Sequence, residues 1–70
     1  MNSIRAEMAG KVLEIRVQVG DPIDSDQDVI IMESMKMQIP VVAPSAGRVK
    51  AVRVSEGQFV NEGDALVDLE

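Results

Sequence analysis

Ala9-Gly10-Lys11-Val12-Leu13-Glu14-Ile15-Arg16-Val17 returns 37 residues further on as Ala46-Gly47-Arg48-Val49-Lys50-Ala51-Val52-Arg53-Val54. The match extends outward in both directions, and residues 1–33 align without a gap on 38–70. Further identities are Ala6/Ala43, Gly20/Gly57 and Glu33/Glu70; Ile23/Val60 and Val29/Leu66 are conservative matches. The residues left over are the connector Ser34-Met35-Lys36-Met37. A duplicated scaffold with one unpaired lysine between its halves looks like a device for presenting that lysine.

The residue choice points to strands. Val and Ile number 17 against 3 Leu, and β-branched side chains suit a pleated, half-buried surface better than a helix. Leu13, Ile15, Val17 and Val19 alternate with Glu14, Arg16 and Gln18, the period of a strand with one buried face. Val29-Ile30-Ile31-Met32 is a continuous apolar run with no helix cap before it, so a strand buried on both faces is expected. Ala65-Leu66-Val67-Asp68-Leu69 is its repeat partner. Paired glycines, Gly10/Gly47 and Gly20/Gly57, suggest paired turns. Gly63 aligns with Asp26, another residue that tolerates left-handed backbone. Pro22, Pro40 and Pro44 fit loops or strand positions that donate no ladder bond.

These signals predict one domain over residues 1–70. It is all-β: a single small barrel or two-sheet sandwich of seven or eight short strands with pseudo-two-fold symmetry. Residues 34–37 then form a tight hairpin between a strand ending at Glu33 and one starting at Gln38. The rotation relating the halves exchanges that hairpin with the chain termini.

Composition narrows the function. Seventy residues are near the lower limit for a self-sufficient core. There is no Cys for disulfides and no His for zinc. Ser/His/Asp and Cys-based nucleophilic catalysis are excluded by the same count, so the chain itself is not expected to be an enzyme. A net charge of −5 argues against nucleic acid, and Phe59 is the lone aromatic, too few for base stacking. No apolar run approaches the roughly 20 residues of a membrane helix, and the start of the chain lacks a signal-peptide layout. A cytoplasmic location is expected. Asp21, Asp24, Asp26 and Asp28 alternate like a metal loop but lack the Gly and terminal Glu of a calcium site. They read as solvated loop charge, with no metal site.

Lys36 at a turn apex offers a primary amine on a flexible stem, a natural acyl acceptor. A lysine amine is mostly protonated at neutral pH, so an external ligase bringing an activated acyl donor is expected rather than self-acylation. Met35 and Met37 give that amine an apolar, adaptable rim on which an enzyme can dock. Without more, the same residues also read as a solvated turn lysine with methionines packed at its rim.

Glu33-Ser34-Met35-Lys36-Met37 resembles the Glu-Ala/Ser-Met-Lys-Met signature of biotinyl domains, the carrier modules of biotin-dependent carboxylases. Gly10-Lys11-Val12, Gly20-Asp21-Pro22-Ile23, Pro44-Ser45-Ala46-Gly47-Arg48-Val49 and the stretch from Glu56 to Asp64 resemble that family's framework. The resemblance is strongest to the small bacterial biotin/lipoyl attachment proteins. It implies a flattened β-barrel of two four-stranded antiparallel sheets with the modified lysine at an exposed hairpin, and covalent biotin on Lys36, attached by a biotin protein ligase. Met35 and Met37 would be the flanking recognition residues, with Glu33 and Ser34 part of the motif. It also implies exchange of a carboxyl group between a biotin carboxylase and a carboxyltransferase.

Two features depart from the pattern. Many carriers have Pro near the position of Glu7. Some carriers of the acetyl-CoA carboxylase type have an insertion overhanging the biotin; here Val19–Asp28 matches Glu56–Ala65 in length, which points away from that subclass. Lipoate on the same fold is the alternative cofactor, although lipoyl domains usually have Asp before the lysine and Ala or Val after it. An unmodified structural module is the third possibility.

Overall fold

A computed structural model describes residues 2–70; Met1, the first residue of the expected domain and repeat, lies outside the described residues. The chain forms eight strands: β1 (Asn2–Arg5), β2 (Gly10–Ile15), β3 (Pro22–Ile23), β4 (Asp28–Ser34), β5 (Met37–Val42), β6 (Gly47–Val52), β7 (Phe59–Val60) and β8 (Ala65–Leu69). They make two four-stranded sheets, ordered β1-β8-β6-β3 and β5-β4-β2-β7, and every pairing is antiparallel.

The duplication is written into this topology. An offset of 37 turns β1 to β4 into β5 to β8, and that exchange converts either strand order into the other. Register follows residue by residue. Val12↔Met32, Glu14↔Ile31 and Ile15↔Ile30 in one sheet become Val49↔Leu69, Ala51↔Asp68 and Val52↔Val67 in the other. Bonds outside the ladders repeat too. Gly63 N donates to Ala6 O and Asp26 N to Ala43 O, both at 2.8 Å. The β4–β5 hairpin pairing has the β8–β1 pairing as its counterpart, so Met32↔Ile39 answers Leu69↔Asn2. The hairpin is thus exchanged with the gap between the two chain ends, as the repeat predicts.

The core obeys the same rule. Seven repeat pairs are buried on both sides: Ala6/Ala43, Val12/Val49, Val17/Val54, Ile23/Val60, Val29/Leu66, Ile30/Val67 and Met32/Leu69. Ile4 is the buried apolar residue without a fully buried mate; its counterpart Val41 packs half-buried against the cluster. Each buried side chain of this size contributes about 1.5–3 kcal/mol. A domain this small therefore depends on filling the space between its sheets from both halves.

Three local expectations need correction. Leu13 does not continue the buried alternation. The β2–β4 register shifts between Val12 and Glu14, so Leu13 is the extra residue of a bulge. The buried face runs Gly10, Val12 and, past the bulge, Val17, with Ile15 half-buried; Val19 is exposed. Gly10 and Gly47 are not turn residues either: each opens a strand, and neither has positive φ. The turns belong to Gly20 and Gly57, with φ 94° and 90°, and to the aligned pair Asp26 and Gly63, with φ 66° and 89°.

The prolines fall where a missing donor is harmless. Pro22 opens the edge strand β3, Pro40 lies on the edge strand β5, and Pro44 is in a loop. In the acidic loop, Asp21 Oδ2 accepts from Gln18 N at 2.9 Å, the local turn closure typical of Asp.

Candidate functional site: an exposed lysine hairpin

Strands β4 and β5 pair continuously from Met32↔Ile39 through Glu33↔Gln38 to Ser34↔Met37. Met35 and Lys36 alone remain between them. Their φ values are 55° and 66°. Two consecutive residues with positive φ match a type I′ hairpin turn, whose twist agrees with that of the strands. Such turns usually carry Asn-Gly because a Cβ is disfavoured in the left-handed region, at about 1–2 kcal/mol per residue. Neither residue here is Asn or Gly. Just before the turn, Met32 is 2% exposed and anchors β4 in the core.

The five residues singled out from the sequence therefore lie together. Met35 is 92% exposed and Met37 65%. Lys36 and Glu33 are exposed and Ser34 is half-buried. Among the described residues no ion pair engages Lys36. Among the described residues, two surface depressions stand out. One, of about 230 Å³, lies between the edge strands β1 and β5 and is lined by Ile4, Met8, Met32, Ile39 and Val41 among others. The other is lined by Leu13, Glu14, Arg16, Ile31 and Gln38. Neither includes Met35, Lys36 or Met37. The tip is an exposed turn with Lys36 at its apex.

The sheet carrying the hairpin also differs chemically from its twin. Leu13, Ile31, Pro40 and Phe59 stand at the positions that are Lys50, Asp68, Ser3 and Pro22 in the other sheet. Phe59 is 65% exposed, whereas Asp68 is buried with polar partners. Gly10, read from the sequence as a turn, lies instead against the last residues of β4, with the Glu33 carbonyl as its nearest neighbour. The repeat alignment gave no signal of this, because Gly47 occupies the equivalent position without an equivalent approach.

Two sheets exchanged by an internal repeat, with one lysine hairpin between the halves, are the architecture of a biotin/lipoyl attachment domain. The chain belongs to the family described as biotin-requiring enzyme, which matches residues 1–69. It is similar to a biotin/lipoyl attachment protein of Bacillus subtilis (strain 168), 49% identical over 67 residues, covering 96% of this chain and 92% of that protein. It is also similar to a biotin carboxyl carrier protein of Streptococcus mutans, 44% identical over 68 residues; the chain spans 52% of that relative. Among solved structures it resembles part of a single-chain, multi-domain long-chain acyl-CoA carboxylase, with a TM-score of 0.88 and 36% identity. That likeness covers 94% of this chain and 6% of the carboxylase.

Proposed function

We propose that the chain is a carboxyl carrier and that Lys36 is its point of covalent biotin attachment. The observation carrying this reading is the geometry of the connector: an exposed lysine at the tip of a left-handed two-residue turn. It stands in the one segment that has no repeat partner. The family match and the names of the relatives give the cofactor class.

In this reading residues 1–70 are a single attachment domain in the cytoplasm. A biotin protein ligase docks on the rim made by Met35 and Met37, with Glu33 and Ser34 completing the motif. The Lys36 ammonium gives up a proton to the ligase, and its Nζ forms an amide with the biotin carboxyl carbon as the activating group leaves. Biotin, when attached, supplies a ring nitrogen that carries a carboxyl group. The chain's own part is to hold the tether rigidly at its base and leave it free at its tip. A biotin carboxylase and a carboxyltransferase then meet the same group in turn. Tethering keeps that group at high effective concentration near both sites. The domain itself is a carrier and not an enzyme.

The Bacillus relative's name joins biotin and lipoate, so lipoate on Lys36 is the second reading. Intact mass after co-expression with a biotin ligase tests the first. One biotinyl increment on the wild type, and none on Lys36→Arg, is the expected result. A lipoyl increment in its place would carry the second reading.

A further inference from the structure

Gly10 and Gly47 are the same residue at the same repeat position, yet only one is sterically required. A Cβ on Gly10 would lie 2.6 Å from the Glu33 carbonyl oxygen, 3.3 Å from its carbon and 3.2 Å from Met32 Cε. A Cβ on Gly47 would meet Leu69 Cδ1 at 3.7 Å and Leu69 Cβ at 3.9 Å, ordinary van der Waals contact. The obstacle at Gly10 is backbone, which cannot rotate aside as a side chain can. Gly10 has no positive φ, so the need is for space and not for conformational freedom.

The difference falls in one functional place. Glu33 is followed by Ser34 and then by Met35 and Lys36, both at positive φ. That turn holds two residues with side chains where glycine is usual, and it keeps its form through the seating of β4. In the second half the residue at the position of Glu33 is Glu70, and the close approach is absent.

The structure assigns Gly10 a positioning role: its bare Cα lets β2 seat against the Glu33 carbonyl and so fixes the turn that presents Lys36 to its modifying enzyme. This rests on the reading of Lys36 as the acceptor. Gly10→Ala displaces the end of β4 and leaves the presenting turn only partly populated. A partner that binds the native turn then sees its apparent affinity reduced by that fraction.

Gly47→Ala is the built-in control, and Val12→Ala, a core truncation in the same strand, controls for lost stability. All variants are studied as the full chain in trimethylamine N-oxide, which favours the folded state. Two readouts are taken: amide hydrogen exchange and chemical shifts of residues 33–37, and the kcat and KM of a biotin ligase for the unmodified carrier. Gly10→Ala is expected to shift and deprotect 33–37 and to raise KM about tenfold with kcat nearly unchanged. Gly47→Ala and Val12→Ala are expected to leave both readouts near wild type. Native-like exchange at 33–37 in Gly10→Ala overturns the assignment. So does an equal response from Val12→Ala, or a Gly10→Ala chain that does not fold even in the osmolyte. Wild type that takes no biotin ends the reading of Lys36 instead; the exchange readout still decides Gly10.

Discussion

Arg53 Nε donates to Asp68 Oδ2 at 2.7 Å, and the same two residues of the first half are Arg16 and Ile31. The duplication has diverged here. Asp68 is 3% exposed and also accepts from Ser3 Oγ at 2.8 Å, while Arg16, lacking a carboxylate at position 31, pairs with Glu14 at 3.1 Å on the surface. Hydrogen bonds from Arg53 and then Ser3 hold the Asp68 carboxyl below the usual aspartate range, against the opposing effect of burial.

That shift has a definite sign in stability. A carboxyl with a lowered folded-state pKa contributes fully above its unfolded value, near 3.9, and the contribution fades as pH falls through the folded value. Asp68→Asn should therefore melt below wild type at pH 7, with the gap closing under strong acid. A gap of the same size at pH 7 and pH 2 would show that the charge of Asp68 is not what matters. Asp68→Ile, which copies the other half of the repeat, should be milder than Asp68→Ala, because Ile31 already fills that site beside Arg16 without a charge.

Met35 tests the strain in the turn. Its φ of 55° is costly for a residue with a long side chain, whereas Asn visits this region routinely. Met35→Asn should stabilise the domain by about 0.5–1 kcal/mol, which for a chain of this size raises Tm by roughly 2–8 °C. Strain kept where a substitution would remove it is a mark of functional constraint. If the ligase reads the methionine, the more stable variant is the poorer substrate. An unchanged Tm would mean the hairpin imposes no cost.

The fold was legible because duplication supplies two copies of each signal. The apolar runs at Val29–Met32 and Ala65–Leu69, the β-branched composition and the unmatched connector all pointed to paired sheets. What escaped has a common cause. The bulge at Leu13 breaks a period that side-chain polarity alone cannot show broken. Gly10 and Gly47 look alike in sequence and differ only in which backbone lies opposite. Asp68 reads as one polar residue in an apolar run until the fold brings Ser3 to it from β1 and Arg53 from just past the end of β6. At the candidate site, the residues were legible and the left-handed backbone beneath them was not, since Met-Lys is not a typical type I′ pair.

Lys36→Arg separates attachment from folding. Arg keeps the charge, and the exposed side chain contributes no packing, so stability should stay within about 0.5 kcal/mol of wild type. Modification should disappear while Lys11 and Lys50 remain available. A biotinyl group on this variant, located by peptide mass mapping, would move the acceptor to one of those two lysines.

The proposed choice of biotin over lipoate is tested at Met35 and Met37. Both side chains stand clear of the barrel, 92% and 65% exposed, so replacing them removes almost no packing, and any change in modification reports on recognition. Met35→Asp with Met37→Ala gives the tip the look of a lipoyl domain. Asp tolerates the left-handed conformation at position 35, so the turn should survive, and circular dichroism should show an unaltered barrel. With biotin and lipoate ligases both supplied with their cofactors, the wild type should take biotin with little lipoate. The double variant should lose biotin first, through a higher KM for the carrier, and gain lipoate. Biotinylation of the double variant at the wild-type rate would remove the methionines from the recognition surface and leave the exposed turn itself as what the ligase reads.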